Sequence, residues 1–599
     1  MKTRLISRKS GSALIVVLSV IATLTVAALV SMEYTTAIRH QVQRSDALQA
    51  DITIGDGVLD HAFSYWREIC RSNTDAALTT SSFANIPLPT QDQFPSVADF
   101  SAQRDEADFT QSNVPTVSNF KVIAVDPQLN PIATGDSLVP AVGQSPVTAT
   151  FSYLGEADVT LPVLNDKVTA KVRRVFQKEQ LSPWNWAIFY VDTLDIHPGA
   201  PMNVTGWVHT NGTLYTGHDL LTFQSKVTYA TDWVVGFAPG DSRSPGGRAP
   251  ETPTSPHYPA NLPPAFDVAH QPFGLDATRI FSTTDSNPNN DDYHELIEPP
   301  VAGYDDPLEG KRYYDQAGVK ILIDNNNVVT IKDQNGNVLG PKSTGLGGAI
   351  YSTFSSALST NQTIQDNREG ASVRLATLDM AIVNAKISDG TLSPFNNIIY
   401  VSDTSAGATG GTPKRGIRLK NGATLPTNGI TVASANPVYI QGDYNTGGNP
   451  PSNSGDYSQP QVSGYTRKPC AVVADAVNIL SNAWNDANSS QSLSHRVASN
   501  TTVNAAIVSG IVPSANNYYS GGAENFPRFL ENWSGKNLTY YGSMVELYKS
   551  RQSIGRWGQS NVYNPPNRHW FFDTNLQIYT PPGSLPVYSY TKGRWYVAQ

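Results

Sequence analysis

Ionisable side chains are scarce in this sequence: Asp, Glu, Lys and Arg make up 15% of its 599 residues. Their balance is −8 at neutral pH, from 42 basic and 50 acidic residues. With no basic excess there is no electrostatic footprint for a phosphate backbone, which argues against nucleic acid as the main partner. Cysteine is nearly missing too. Cys70 and Cys470 are too few for a disulfide framework and read as two free or buried thiols. No Gly-x-x-x-x-Gly-Lys loop, His-Glu-x-x-His helix or Gly-x-Ser-x-Gly elbow occurs, so the common phosphate, zinc and serine-nucleophile signatures are absent. Long apolar runs are lacking as well, with one exception.

That exception is the stretch from Ser12 to Met32, which carries no charge until Glu33 and follows Lys2, Arg4, Arg8 and Lys9. About 20 apolar residues are what a helix needs to cross the hydrocarbon core of a bilayer. Its Ser and Thr hydroxyls can bond back to helix carbonyls. The basic residues ahead of it favour a cytoplasmic N-terminus. A signal peptide would be shorter and end at small residues. Here apolar residues continue at three- and four-residue steps: Ala37, Ile38, Val42, Leu48, Ile52, Val58, Leu59, Ala62, Phe63 and Trp66. The spacing predicts one long helix to about Cys70, apolar in its first half and amphipathic in its second. Gly55 and Gly57 weaken it locally.

A basic leader ending in Gly11, an uncharged run and a long continuous helix together resemble the type IV pilin-like proteins. The resemblance implies cleavage by a prepilin peptidase between Gly11 and Ser12, with Ser12 becoming the methylated first residue. It also implies insertion in the inner membrane and packing against other pilins or pseudopilins through the helix. Val16 stands at the fifth mature position, where most of the family has Glu; this departure is similar to K-type minor pseudopilins and some PilX-type minor pilins. A plain signal anchor is the alternative.

The remaining chain is rich in turn formers, with 45 Gly and 41 Pro, and suits a β-rich extracytoplasmic protein. Residues 1–11 are read as leader and 12–70 as helix. Residues 71–182 are read as linker and small sheet, in which Val147–Tyr153 and Val168–Phe176 pair antiparallel. From 183 to 237 come very short strands flanked by Gly, Asn or Pro. A Pro/Asn/Ser-rich insertion at 238–318 reads as poorly packed loop in its first part. Residues 319–599 form a β-meander and the main ectodomain. Short strands without helices between them predict a mainly β fold with a parallel β-helix-like ectodomain. No strict repeat length is visible, so a multi-stranded β-sandwich is the alternative. Asn436–Asn445, Ala474–Trp484, Gly521–Trp533 and Asp366–Glu369 resemble the ectodomain of large PilX-like pilus proteins, strings to which no reaction is attached.

A β-helix enzyme acting on polysaccharide would need paired carboxylates. Asp443, Asp475, Glu524, Arg528 and Glu531 are the candidates. The structural readings are stronger: a turn for Asp443, a short helix around Pro527, and a salt bridge from Arg528 to the flanking acids. Asp285–Asp292 and Asp324–Asn327 offer oxygen ligands suited to Ca²⁺ but lack the EF-hand Gly and Glu. His197, His209 and His218 lack zinc spacing and read as scattered surface residues. No cofactor or metal is expected. The expectation is a non-enzymatic minor pilin or pseudopilin of a type IV pilus or type II secretion filament. Its head would serve adhesion or assembly initiation at the tip, with a glycan or surface ligand as a further partner. The rival readings are a signal-anchored polysaccharide enzyme and a membrane-anchored adhesin.

Overall fold

A computed structural model describes residues 10–71, 73, 78–89, 115–133, 136, 138, 141–142, 147–163, 166–199, 201–239, 241, 254–257, 267–269, 286–403, 414–447, 466–514, 521–557, 561–583 and 586–598. The N-terminal helix runs unbroken over Ser10–Arg71. Against its second half lies an antiparallel sheet in the order Thr116–Val125, Val147–Val163, Asp166–Leu181 and Val587–Val597. The hairpin read from alternation is present, with Tyr153 opposite Phe176 and Val159 opposite Ala170. Its fourth strand comes from the far end of the sequence: Val587 sits opposite Leu181 and Tyr590 opposite Lys178. Everything between Leu181 and Val587 is therefore looped out of a single small sheet, and the 71–182 and 319–599 divisions both run across that pairing.

The looped-out part is a stack of parallel coils. From Ala371 onward the chain alternates between two sheets. One takes Ile398–Asp403, Ile430–Ser434, Cys470–Ala474, Thr501–Ser509 and Asn537–Glu546. The other takes Ala371–Asp379, Lys414–Lys420, Val438–Gln441, Val477–Leu480 and Pro527–Phe529. Residues 183–237 form three-sided coils of their own, in which Trp186–Tyr190, Leu194–Ile196 and Met202–Val204 stack on Trp207–Thr210, Thr213–Thr216 and Leu221–Phe223. All these pairings are parallel, the arrangement of stacked coils rather than of a sandwich.

One row of interior side chains shows how the stack is ordered. Val319, Ile399, Val432, Val472, Ile507 and Met544 face one another in successive strands. The row then passes from Met544 to Ile188, Val208 and Val227. None of the nine is more than 4% exposed. Fully burying a Val, Ile or Met contributes about 1.5–3 kcal/mol, so this row is a main source of stability. The early coils are thus stacked onto the late ones, which no local signal in the sequence announces.

At the other end Val319–Ile323 turns back antiparallel onto Val329–Asp333 and then Val338–Leu339, the expected meander. The helix Gly345–Ala357 brings Ile350, Phe354 and Ala357 into the same core and covers that end. The segment Leu375–Ile387, undecided by periodicity, divides into the end of a strand and the helix Met380–Ser388. The 238–318 region is not poorly packed throughout: Leu296, Ile297, Leu308 and Tyr313 are buried against the stack. The short helix expected around Pro527 is a 3-10 turn at Ala523–Asn525 followed by the strand Pro527–Phe529, because Phe529 must point into the coil interior beside Ile479.

Candidate functional site: a bare apolar helix above a helix–sheet collar

Among the described residues, Ser12–Arg71 is the one helix long and apolar enough to cross a membrane. Leu14, Ile15, Val16, Leu18, Ile21, Leu24, Leu29 and Val30 are all more than half exposed, and Val42 still is. The Ser19 hydroxyl donates to the Val16 carbonyl at 2.9 Å and that of Thr23 to Ser19 at 2.8 Å, so the run carries its own polar partners. Such a surface is not stable in water. It suits a membrane anchor or a signal segment.

Burial starts at Asp51 and marks where the sheet takes hold. Ile54, Val58, Leu59, Ala62, Phe63, Trp66 and Cys70 pack against Val122, Tyr153, Val159, Val172, Phe176 and Tyr590. Trp66 is the hub, with ring centroids 5.1 Å from Tyr153, 5.5 Å from Phe176 and 5.9 Å from Tyr590. Gly55, which costs helix propensity, is where the helix meets the sheet: a Cβ there would lie 2.5 Å from Val172 Cγ2. Arg174 donates to Asp56 at 2.7 Å, to Asp60 at 2.8 Å and to the Gly593 carbonyl at 2.7 Å. Lys592 pairs with Asp60 as well. Two strands far apart in sequence are thus pinned to one helical turn. Burial pushes the Asp51 carboxyl up to about 7, offset in part by the Leu161 backbone. Gly11, Ser12 and Val16 all lie on the helix, ahead of this collar.

The candidate acids of the ectodomain are dispersed among separate structural networks. Asp443 is half-buried in a turn and accepts from the Thr502 amide at 2.8 Å. Glu531 accepts from the Ser481 amide at 2.6 Å and hydroxyl at 2.7 Å, and burial pushes it up to about 7. Glu524 is buried near Tyr190. Arg528 does not bridge Glu524 and Glu531. It donates to Glu369 at 2.7 Å, and Glu369 also takes Lys414 at 2.6 Å, so the Asp366–Glu369 string is a buried ionic staple between coils. His197 and His209 are buried rather than superficial; His209 holds Thr228 at 2.7 Å and Asn211 at 2.9 Å. His218 lies beside Asp219. In the Asp324–Asn327 turn, Asp324 accepts from the Asn326 and Val328 amides. Asp285 lies outside the described residues, and Asp292 caps the turn after it by accepting from the His294 amide. Among the described residues no three His, Cys, Asp or Glu side chains converge as a metal site. Both cysteines are buried.

No family model and no curated protein matches this sequence. Among solved structures the chain is similar to the crystal structure of the competence-associated pilin ComZ from Thermus thermophilus, over 93% of this chain and 98% of that one, at 12% identity and a TM-score of 0.26.

Asp475 has the most elaborate surroundings. Fully buried, it accepts from the amides of Gln552 and Ser553 and from His294 Nε2 at 3.0 Å, while His294 Nδ1 lies 2.6 Å from Glu298. Arg551 reaches Glu295 and Glu298, and Arg312 reaches Glu295 and Asp306. Burial alone would lower the His294 pKa, but the two carboxylates override it and raise it to about 9. Since the folded value exceeds the ordinary 6.5, this contact stabilises fully below about pH 6.5 and is lost as pH rises through about 9. The difference corresponds to on the order of 3 kcal/mol. Thermal midpoints of the wild-type chain are therefore expected to fall between pH 6.5 and 9, and His294→Gln to flatten that limb; parallel profiles would refute the assignment. Sequence spacing could not find this network, because His294 and Asp475 come from segments 181 residues apart.

Proposed function

We propose that this chain is a non-enzymatic minor pilin-like subunit of a type IV pilus or type II secretion-type filament. It enters the inner membrane through Ser12–Met32 with its N-terminus in the cytoplasm. A prepilin-type peptidase cuts it after Gly11, Ser12 is methylated, and the same helix then packs against those of other subunits. The observation that carries this reading is a single unbroken helix with two environments. It is bare and uncharged from Ser12 to Met32, and from Asp51 onward it is covered by an antiparallel sheet. A plain signal anchor needs no such collar. A filament subunit does, because the collar holds the head at a defined angle to the helix that packs into the filament.

Val16 in place of the family's usual Glu supports a minor role, since the charge that helps bring each new subunit into register is missing. The coil stack from Pro183 to about Pro582 is far larger than the collar that carries it. Neighbours along a shaft lie close together, so a head of this bulk is accommodated at a filament end, where it serves adhesion or assembly initiation. The test is recovery of the native chain from cells. It is expected in sheared filaments at a few copies per filament, labelled at their ends by antibody. Labelling along the shaft would remove the terminal placement, and absence from sheared filaments would remove the filament reading.

A further inference from the structure

Where the early coils meet the late ones the stack leaves a cavity of about 170 Å³, lined among others by Tyr190, Phe526, Asp192, Asp195, Arg368 and Lys549. It lies at the seam itself, since Tyr190 pairs with Glu546 across it. The volume is well below the ~300–1,000 Å³ of sites for drug-sized molecules and leaves room for a single ring. Tyr190 and Phe526, with centroids 5.8 Å apart and planes inclined at 48°, supply an aromatic corner.

Three polar groups here are unused by the fold. The Tyr190 hydroxyl is buried and has no hydrogen-bond partner among the described residues. Neither the Asp192 carboxylate nor the exposed Lys549 ammonium makes a hydrogen bond or ion pair among them, although each lies within the other's field. Leaving a buried hydroxyl unpaired is costly, so a ligand that supplies the partner is favoured. The lining sets Asp192 and Asp195 against Arg368 and Lys549, with Arg528 already paired to Glu369, so an anion and a cation would each face charges of its own sign. Hydroxyl groups both donate and accept, and so serve both charges at once. The apolar face of a sugar ring meanwhile suits an aromatic corner.

We infer that this cavity binds one neutral sugar ring of a surface glycan, packed against Tyr190 and Phe526 and hydrogen-bonded through its hydroxyls to the Tyr190 hydroxyl, Asp192 and Lys549. The site does not depend on the chain entering a filament, and the two readings fail separately, one in sugar binding and the other in recovery from filaments.

The experiment uses the full chain in a zwitterionic, sugar-free detergent. Saturation-transfer NMR is run with glucose, galactose, mannose, fucose, N-acetylglucosamine and N-acetylgalactosamine, and with sialic acid and glucosamine as charged comparisons. At least one neutral sugar is expected to receive saturation on the ring protons of one face. Thr193→Trp, which fills the exposed mouth, and Lys549→Ala, on the surface, are each expected to weaken binding about tenfold or more while leaving the fold's circular dichroism unchanged. Saturation of none of the neutral sugars overturns the inference. So does binding confined to a charged one, or affinity unaltered by Thr193→Trp.

Discussion

Gly429→Ala is expected to be among the most damaging single-methyl additions in this chain. Gly429 has φ +77°, and a Cβ placed there would lie 1.7 Å from the Pro469 carbonyl oxygen and 2.7 Å from its carbon. That carbonyl belongs to the next coil and accepts from the Ile430 amide at 3.2 Å, while Gly429's own carbonyl accepts from Asn397. The obstacle is backbone, fixed by the parallel ladder between Ile430–Ser434 and Cys470–Ala474, and cannot swing aside as a side chain would. A left-handed backbone costs a non-glycine residue roughly 1–2 kcal/mol, and forced overpacking adds about 1–3 kcal/mol. Loss of about 2–5 kcal/mol is the expected outcome of denaturant unfolding. Gly303→Ala is the control. It has φ +92° but open space around it, so only the backbone cost of about 1–2 kcal/mol is expected. Equal effects at the two positions would mean that the coils are not stacked as described.

A larger alteration should be tolerated. Leu181 and Val587 are antiparallel partners, so their Cα atoms stand about 5 Å apart, and an Asn-Gly turn bridges such a pair. Joining Leu181 to Val587 through Asn-Gly, with residues 182–586 removed, is expected to leave a folded helix and sheet. Trp66, Tyr153, Phe176 and Tyr590 all remain in that shorter chain, as do the ion pairs of Arg174 and Lys592. Deleting 586–599 from the full chain should do the opposite. It strips Tyr588 and Tyr590 from the core, removes Lys592 from Asp60, and uncovers Lys178, whose ammonium lies 4.3 Å from the Tyr588 ring. Near-ultraviolet circular dichroism and cooperative unfolding in detergent read both outcomes. A molten Asn-Gly variant beside an intact truncation would show that the sheet is not the base into which the coils are inserted.

The parts of the fold that were legible in the sequence are those set by local patterning. Twenty-odd uncharged residues followed by a three-to-four spacing specify one helix. Alternation in Val147–Tyr153 and Val168–Phe176 specifies a hairpin. The short strands specified stacked coils, but not their order. Val208 and Val227 lie nineteen residues apart, as do Thr213 and Asp232, so the early coils do carry a period. In the late coils the spacing from Ile399 to Val432 to Val472 to Ile507 is 33, 40 and 35, because turns of unequal length hide it. The return of Val587–Val597 to the collar left no trace, since its partners lie some four hundred residues earlier.

The same reason explains the site residues. Arg528 stands between Glu524 and Glu531 in sequence, yet coil stacking brings it to Glu369, 159 residues away. Asp192 and Asp195, two acids between apolar strands, were the one local sign of the seam cavity. Lys549 and Phe526 joined them only through tertiary structure.

The N-terminal mass of the native chain, from membranes and sheared filaments of cells with and without their prepilin peptidase, tests the central claim most directly. A chain beginning at methylated Ser12 when the peptidase is present, and retaining residues 1–11 when it is absent, is the result expected of a pilin-like subunit. A chain that keeps its leader in both strains, or is cut beyond Met32, would contradict it and leave a coil-stack protein that is merely anchored or secreted.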